Sequence, residues 1–168
     1  CETAGQWLKS LGSSGSATGP QFHIALWSVG GGRHMPDLVS KKVGGRVVMV
    51  SSLDGGHPGD NIIDGREDTY WISTGLYPQE ILLAMSQRSM VSTVKIVTTN
   101  VRGIRIESCA EDDPVNFKTL VEDELEELSG RLQVKEIPCQ GVEPAAYIKV
   151  MILSGWHDFC TVHRVIVE

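Results

Sequence analysis

His57-Pro-Gly-Asp-Asn-Ile-Ile-Asp-Gly-Arg-Glu-Asp-Thr-Tyr-Trp-Ile-Ser-Thr-Gly-Leu-Tyr-Pro-Gln-Glu80 holds too many special residues to be an ordinary loop. Asp64-Gly65 marks a tight turn, because glycine reaches positive φ without a steric penalty. Side-chain oxygens crowd around it on Asn61, Asp64, Asp68 and Thr69. Trp71 follows at once, and so large a ring normally goes inside. Two readings account for the oxygens. Asx turns bonded to nearby backbone are the plainer one. A hard cation held by an oxygen-rich loop is the other.

On either side of this stretch the chain reads as strands. Arg46–Ser52 is β-branched and predicts one. Trp71–Thr74 predicts a short second strand, Gly75–Pro78 a turn, and Gln79–Met85 the next strand. Ser92–Thr99 alternates strictly, with Val94 and Ile96 on one face and Thr93 and Lys95 on the other. Val101–Ser108 sets Ile104 and Ile106 against Arg105 and Glu107, and Arg131–Ile137 puts Leu132 and Val134 together. Ala146–Leu153 is the most apolar run and is read as a central strand; Thr161–Glu168 is the last. Period two with one polar face marks an antiparallel sheet covered on one side. Short strands at regular spacing, with turn signals between them, predict an all-β sandwich or barrel. Phe117–Ser129 departs from this. Phe117, Leu120, Val121, Leu125 and Leu128 fall at helical spacing among acids, so the segment taken alone reads as an amphipathic helix ending at Gly130.

The 168 residues suit one domain with a sizeable core. The net charge of -6 and the lack of a basic stripe argue against nucleic-acid binding. No apolar run reaches the length of a membrane span. Cys109, Cys139 and Cys160 match no zinc spacing and are read as small buried residues. There is no GxxxxGK[ST], no GxGxxG after a strand, no HExxH and no GxSxG. His57, His157 and His163 are scattered, so structural or surface roles are expected for them. These absences leave an enzyme reading with little behind it.

Residues 1–34 differ from the rest. Gly12–Pro20 has linker composition, and Gly30–His34 is a second glycine-rich run. Phe22–Val29 between them is apolar but isolated. The first residue is Cys, and the segment is read as a leader, an alternative first exon or a cloning remnant. The expectation is a disordered extension over 1–43 and a domain over 44–168.

Two long strings carry a resemblance. The first is Asn61-Ile-Ile-Asp-Gly with Thr69-Tyr-Trp, continued through Thr74–Glu80. The second is Tyr147-Ile-Lys-Val-Met-Ile-Leu-Ser with His157-Asp-Phe-Cys-Thr-Val-His-Arg-Val. They resemble the intraflagellar transport protein 25 (heat shock protein beta-11) family, whose fold is a galactose-binding-like (discoidin, F5/8 type C) domain. The resemblance runs from about Met35 to Glu168. It implies a jelly-roll β-sandwich, and hence that Phe117–Ser129 is a strand, since tertiary context overrides local propensity. It implies a Ca²⁺ in the Asp-Gly loop at Asn61, Asp64 and Thr69, with Glu168 able to complete the shell. It also implies an adaptor of the intraflagellar transport B complex, in cilium and cytoplasm. Such an adaptor pairs with a Rab-like small GTPase, intraflagellar transport protein 27, beside other B subunits, and serves ciliary export including Hedgehog components. Outward-facing contacts for that partner are expected at Val134, Ile137, Tyr147, Lys149 and Arg164. The alternative is a carbohydrate-binding module stacking sugars on Tyr70, Tyr77 or Trp156. A lipid-binding version would need Leu76 as an apolar spike beside basic residues that are missing.

Overall fold

A computed structural model describes residues 35–168. Its strands are β1 (Arg46–Val50), β2 (Trp71–Ile72), β3 (Gln79–Ser89), β4 (Thr93–Thr99), β5 (Val101–Cys109), β6 (Lys118–Glu124), β7 (Gln133–Pro138), β8 (Ala145–Gly155) and β9 (Thr161–Val167). They form a five-stranded sheet, order β1-β3-β8-β5-β6, and a four-stranded sheet, order β2-β9-β4-β7. All pairings are antiparallel. The two sheets stack as the expected jelly-roll sandwich.

Alternation drives the stacking. Ile81, Leu83, Ile104, Ile106, Ile148, Val150 and Ile152 project from one sheet. Trp71, Val94, Ile96, Ile137, Val162, Val165 and Val167 meet them from the other. Each such side chain taken from water contributes about 1.5–3 kcal/mol. The core admits two glutamines, each held by several bonds. Gln133 Nε2 donates to the carbonyls of Val101 (2.7 Å) and Glu126 (2.8 Å), and its Oε1 accepts from Thr98 Oγ1 and Val101 N. Gln79 Oε1 accepts from Ser51 and Ser52 hydroxyls, both at 2.6 Å, and its Nε2 donates to the Leu76 carbonyl. A buried amide is tolerated when its donors and acceptors are met in this way.

Phe117–Ser129 contains β6, not a helix. β6 pairs with β5, and a bulge there leaves Leu120 as the extra residue between Thr119 and Val121. Leu120 and Val121 therefore both pack against the core. A bulge breaks period two locally, which is why the segment mimicked helical spacing.

The expected extension over 1–43 needs correction where it is described. Residues 1–34 lie outside the described residues. Residues 37–43 belong to the domain: Val39 is fully buried and Leu38 nearly so. The Leu38 N–H donates to the Val167 carbonyl (2.8 Å), and its carbonyl accepts from Ser86 N (3.1 Å). Asp37 Oδ1 accepts from Val39 N and Val167 N. A 3-10 turn at Lys41–Val43, capped by the Ser40 hydroxyl, leads into β1.

Candidate functional site

The Asp-Gly loop begins with a 3-10 turn at Gly59–Ile63 that buries Ile62 and Ile63. Gly65 follows with φ +81°, the left-handed conformation expected of it. The loop is then closed by its own side chains. Asp64 Oδ1 accepts from Arg66 N (2.8 Å), and Asp64 Oδ2 accepts from the Thr69 hydroxyl (2.9 Å). Asn61 Nδ2 donates to the Tyr70 carbonyl (2.9 Å). Arg66 forks onto Asp68, and this hydrogen bond holds the Asp68 carboxyl below its usual pKa. Trp71 is fully buried, its indole N–H donating to the Ser52 carbonyl (2.9 Å).

Of the four expected calcium ligands, Asp64 and Thr69 are joined by a hydrogen bond, and Asn61 binds the backbone of the neighbouring Tyr70. Glu168 does not hydrogen-bond to any of them. Its carbonyl accepts from Ser92 and Thr93 at the end of β9, and its side chain lines a groove wall shared with Glu67 of the loop. The donors are all oxygen, as Ca²⁺ requires, but Asp64 is the single carboxylate among the three. An ion here would draw most of its about six to eight ligands from carbonyls and water, which makes a weak site. Among the described residues no group of three or more His, Cys, Asp or Glu is arranged to hold a metal.

The expected partner contacts divide among three places. Val134 (61% exposed) and the half-buried Arg164 share the outer face of the four-stranded sheet. Tyr147 and Lys149 lie on β8, on the outer face of the five-stranded sheet. Ile137 is a correction: it is fully buried in the core. In a regular strand, residues three apart face opposite ways, so Ile137 points in because Val134 points out.

The outer face of the four-stranded sheet carries a groove. Across one rung lie Arg164, Val97 and Val134; across the next lie Ile166, Lys95 and Glu136. Leu132, 47% exposed, continues the apolar strip at its margin. Lys95 is closed onto Glu136 at 2.9 Å. Arg164 makes no hydrogen bond or ion pair among the described residues. Burial pushes the Asp37 carboxyl above its usual pKa, and its backbone hydrogen bonds and the nearby Arg164 charge only partly offset this. His163, the bulge residue of β9, has a buried Nδ1 with no hydrogen-bond partner.

The outer face of the five-stranded sheet is different. Glu107 bridges Lys149 (3.2 Å) and Arg105 (3.7 Å), and Arg105 also pairs with Glu122. Lys149 Nζ sits 3.9 Å from the Phe117 ring centroid. The Tyr147 hydroxyl donates to the Asp112 carbonyl (2.7 Å).

The aromatic residues considered for sugar stacking are engaged within the protein. Tyr70 stacks on His57 at 4.3 Å and contacts His163 at 5.1 Å. The Tyr77 hydroxyl donates to the His157 carbonyl, and burial raises its pKa. Arg102 lies over Trp156 at 5.0 Å. Leu76 is 86% exposed at the same end of the sandwich. Cys109, Cys139 and Cys160 are buried free thiols, and burial lifts Cys139 to about 11. Among the described residues no helix is long and apolar enough to cross a membrane.

Comparison with known proteins adds relatives to this geometry. Intraflagellar transport protein 25 of Chlamydomonas reinhardtii is 37% identical over 131 residues, covering 78% of this chain and 68% of that protein. The mouse intraflagellar transport protein 25 homolog is 33% identical over 132 residues, covering 79% of this chain and 92% of that protein. The human homolog is likewise 33% identical, with 79% and 91% covered. No family model matches the chain. Among solved structures, the family 32 carbohydrate-binding module of Clostridium perfringens NanJ, in complex with galactose, superposes with a TM-score of 0.65 at 18% identity. That match covers 78% of this chain and 97% of the module. A chitosan-binding module from a Paenibacillus chitosanase/glucanase gives 0.66 at 18% identity, covering 80% and 99%. At such identities the likeness is one of fold, a galactose-binding-like sandwich.

Proposed function

The chain belongs to the intraflagellar transport protein 25 family, and from that premise we propose that it is a non-catalytic adaptor of the intraflagellar transport B complex. In this reading it holds a Rab-like small GTPase, intraflagellar transport protein 27, as a heterodimer and supports export of ciliary cargo. The observation that carries the proposal is the match of 131 residues, across nearly the whole domain, to a protein of that name. The outer face of the four-stranded sheet supports it, because an apolar strip on a sheet face is what a stable partner would cover. A stable pair would bury roughly 1,200–2,000 Å² in total.

The Asp-Gly loop takes a supporting part. Asn61, Asp64 and Thr69 would hold a weak Ca²⁺ that braces the loop rather than signals. The function is tested by co-expressing the chain with the Rab-like subunit, followed by gel filtration. One co-eluting peak is expected. Two separate monomer peaks at micromolar concentration, with both proteins folded, would end the adaptor reading in this form.

A further inference from the structure

We propose that the outer face of the four-stranded sheet, centred on Arg164, is the docking face. Its partner is a folded protein bringing an apolar surface with a carboxylate at its middle and basic side chains at its margin. The inference rests on the adaptor reading and gives it a place and a chemistry.

The argument begins with what is closed and what is open. Lys95 and Glu136 neutralise each other at 2.9 Å. Arg164, one rung away beside Val97 and Val134, has no hydrogen bond or ion pair among the described residues. A guanidinium presents a planar fork of donors that matches a carboxylate at two points. A surface that covered Val97, Val134 and Leu132 would strip water from Arg164 as well. That is costly unless the partner supplies an acceptor at the same spot. Arginine is also among the residues enriched where binding energy concentrates in protein interfaces.

The margin fixes the rest. Asp37, Glu67 and Glu168 line the same groove, and no side-chain ion pair closes any of them among the described residues. The rim is therefore acidic around a single basic centre, and a basic margin on the partner complements it. The same rim disfavours a second copy of this chain. Two copies meeting through this face would set acidic margins against one another, each chain already carrying a net charge of -6.

The test uses the purified chain and the Rab-like GTPase of the proposed heterodimer, titrated by calorimetry. Arg164→Glu and Val134→Asp are each expected to weaken binding on the order of 100-fold or more. Arg164→Lys keeps the charge but loses the fork, and should weaken it about tenfold. Met49→Asp, on edge strand β1 of the other sheet, should bind as wild type. Val134 is exposed, so Val134→Asp keeps the test meaningful even if a change at Arg164 disturbs folding. Wild-type binding that survives both Arg164→Glu and Val134→Asp overturns the docking face and leaves the adaptor reading standing. A wild type that binds no GTPase removes both. A wild-type chain that dimerises alone, with the dimer lost in Val134→Asp, also overturns the inference.

Discussion

On the outer face of the five-stranded sheet the charges around Glu107 are closed on one another; on the outer face of the four-stranded sheet Arg164 is not. Glu107 is 11% exposed at its side chain and Lys149 19%, and the two are joined at 3.2 Å. The ladder continues through Arg105 to Glu122, so its two cations meet two anions. The four-stranded face instead places Arg164 among valines without a partner, beside Val134 at 61% exposure. The Glu107 cluster is finished as it stands. The four-stranded face has the composition of a surface awaiting a complement. A bound protein therefore has most to gain on the four-stranded side, where apolar area is available and a cation lacks its anion.

The largest stability effect expected from this contrast is at Glu107. Glu107→Ala strips Lys149 and Arg105 of their shared carboxylate in a shielded setting. Breaking a fully buried pair costs about 3–5 kcal/mol. The ladder is only partly shielded, so about 2–3 kcal/mol is expected in urea unfolding, with GTPase binding unchanged. A loss below about 0.5 kcal/mol, the range of exposed pairs, would mean solvent screens the ladder and the two faces are electrostatically alike.

A smaller loss is expected at the loop that carries Glu67 to the rim of the groove. Asp64→Ala removes the acceptors for Arg66 N and the Thr69 hydroxyl. Each net hydrogen bond is worth about 1 kcal/mol, so about 1–2 kcal/mol should go. The same variant tests the ion. If the loop holds Ca²⁺, millimolar Ca²⁺ raises the wild-type melting temperature through binding to the native state alone. Asp64→Ala should then abolish the rise. A wild type that melts identically with and without Ca²⁺ leaves the loop as a hydrogen-bonded corner.

Val134→Asp should be nearly silent in stability, within about 0.5 kcal/mol, because an exposed side chain exchanges one solvated group for another. Its contrast with Ile137, three residues along β7, also shows what the sequence could and could not tell. The strands of the sandwich were legible wherever apolar residues alternate inward, as in β4 and β5. At the start of β7 the alternation is inverted: Val134, like Leu132 just before the strand, is exposed, while Gln133 is 3% exposed and Lys135 reaches Asp123 at 3.0 Å. Gln133 is inside because it satisfies the Val101 backbone, a need that exists only once β5 is in place. Bulges at Val48, Leu120 and His163 were equally hidden, since an extra residue has no side-chain signature. Leu38-Val39 gave too short an apolar signal to announce that it packs under the end of β9. The loop oxygens were legible as a cluster. That Arg164 lacks a partner was not, because absence of an ion pair is a property of the folded arrangement.

The smallest effect concerns Asp37, whose carboxyl feels the Arg164 charge. Burial raises its pKa above the ordinary 3.8, and the pull of three backbone N–H groups and of Arg164 does not restore it. The folded state therefore binds this proton more readily than the unfolded chain. Just above pH 3.8, then, more protons are bound in the native state, and stability falls as pH rises through the folded pKa. Ionised Asp37 is a small burden at neutral pH. Asp37→Asn keeps an oxygen for Val39 N and Val167 N and carries no charge to desolvate. Its stability should lack this contribution to the pH slope just above pH 3.8. Melting curves of both proteins across that window measure it. In the complex the contrast should grow. A partner carboxylate on Arg164 takes away the attraction that now favours ionised Asp37 and adds a second anion nearby, so the Asp37 pKa should rise further when the GTPase binds. Proton uptake on binding in mildly acidic buffer, read as a dependence of calorimetric heat on buffer ionisation enthalpy, is the expected sign. Its absence in Asp37→Asn would assign the proton to this residue. Equal uptake in both proteins would place the titrating group elsewhere and separate Asp37 from the docking face.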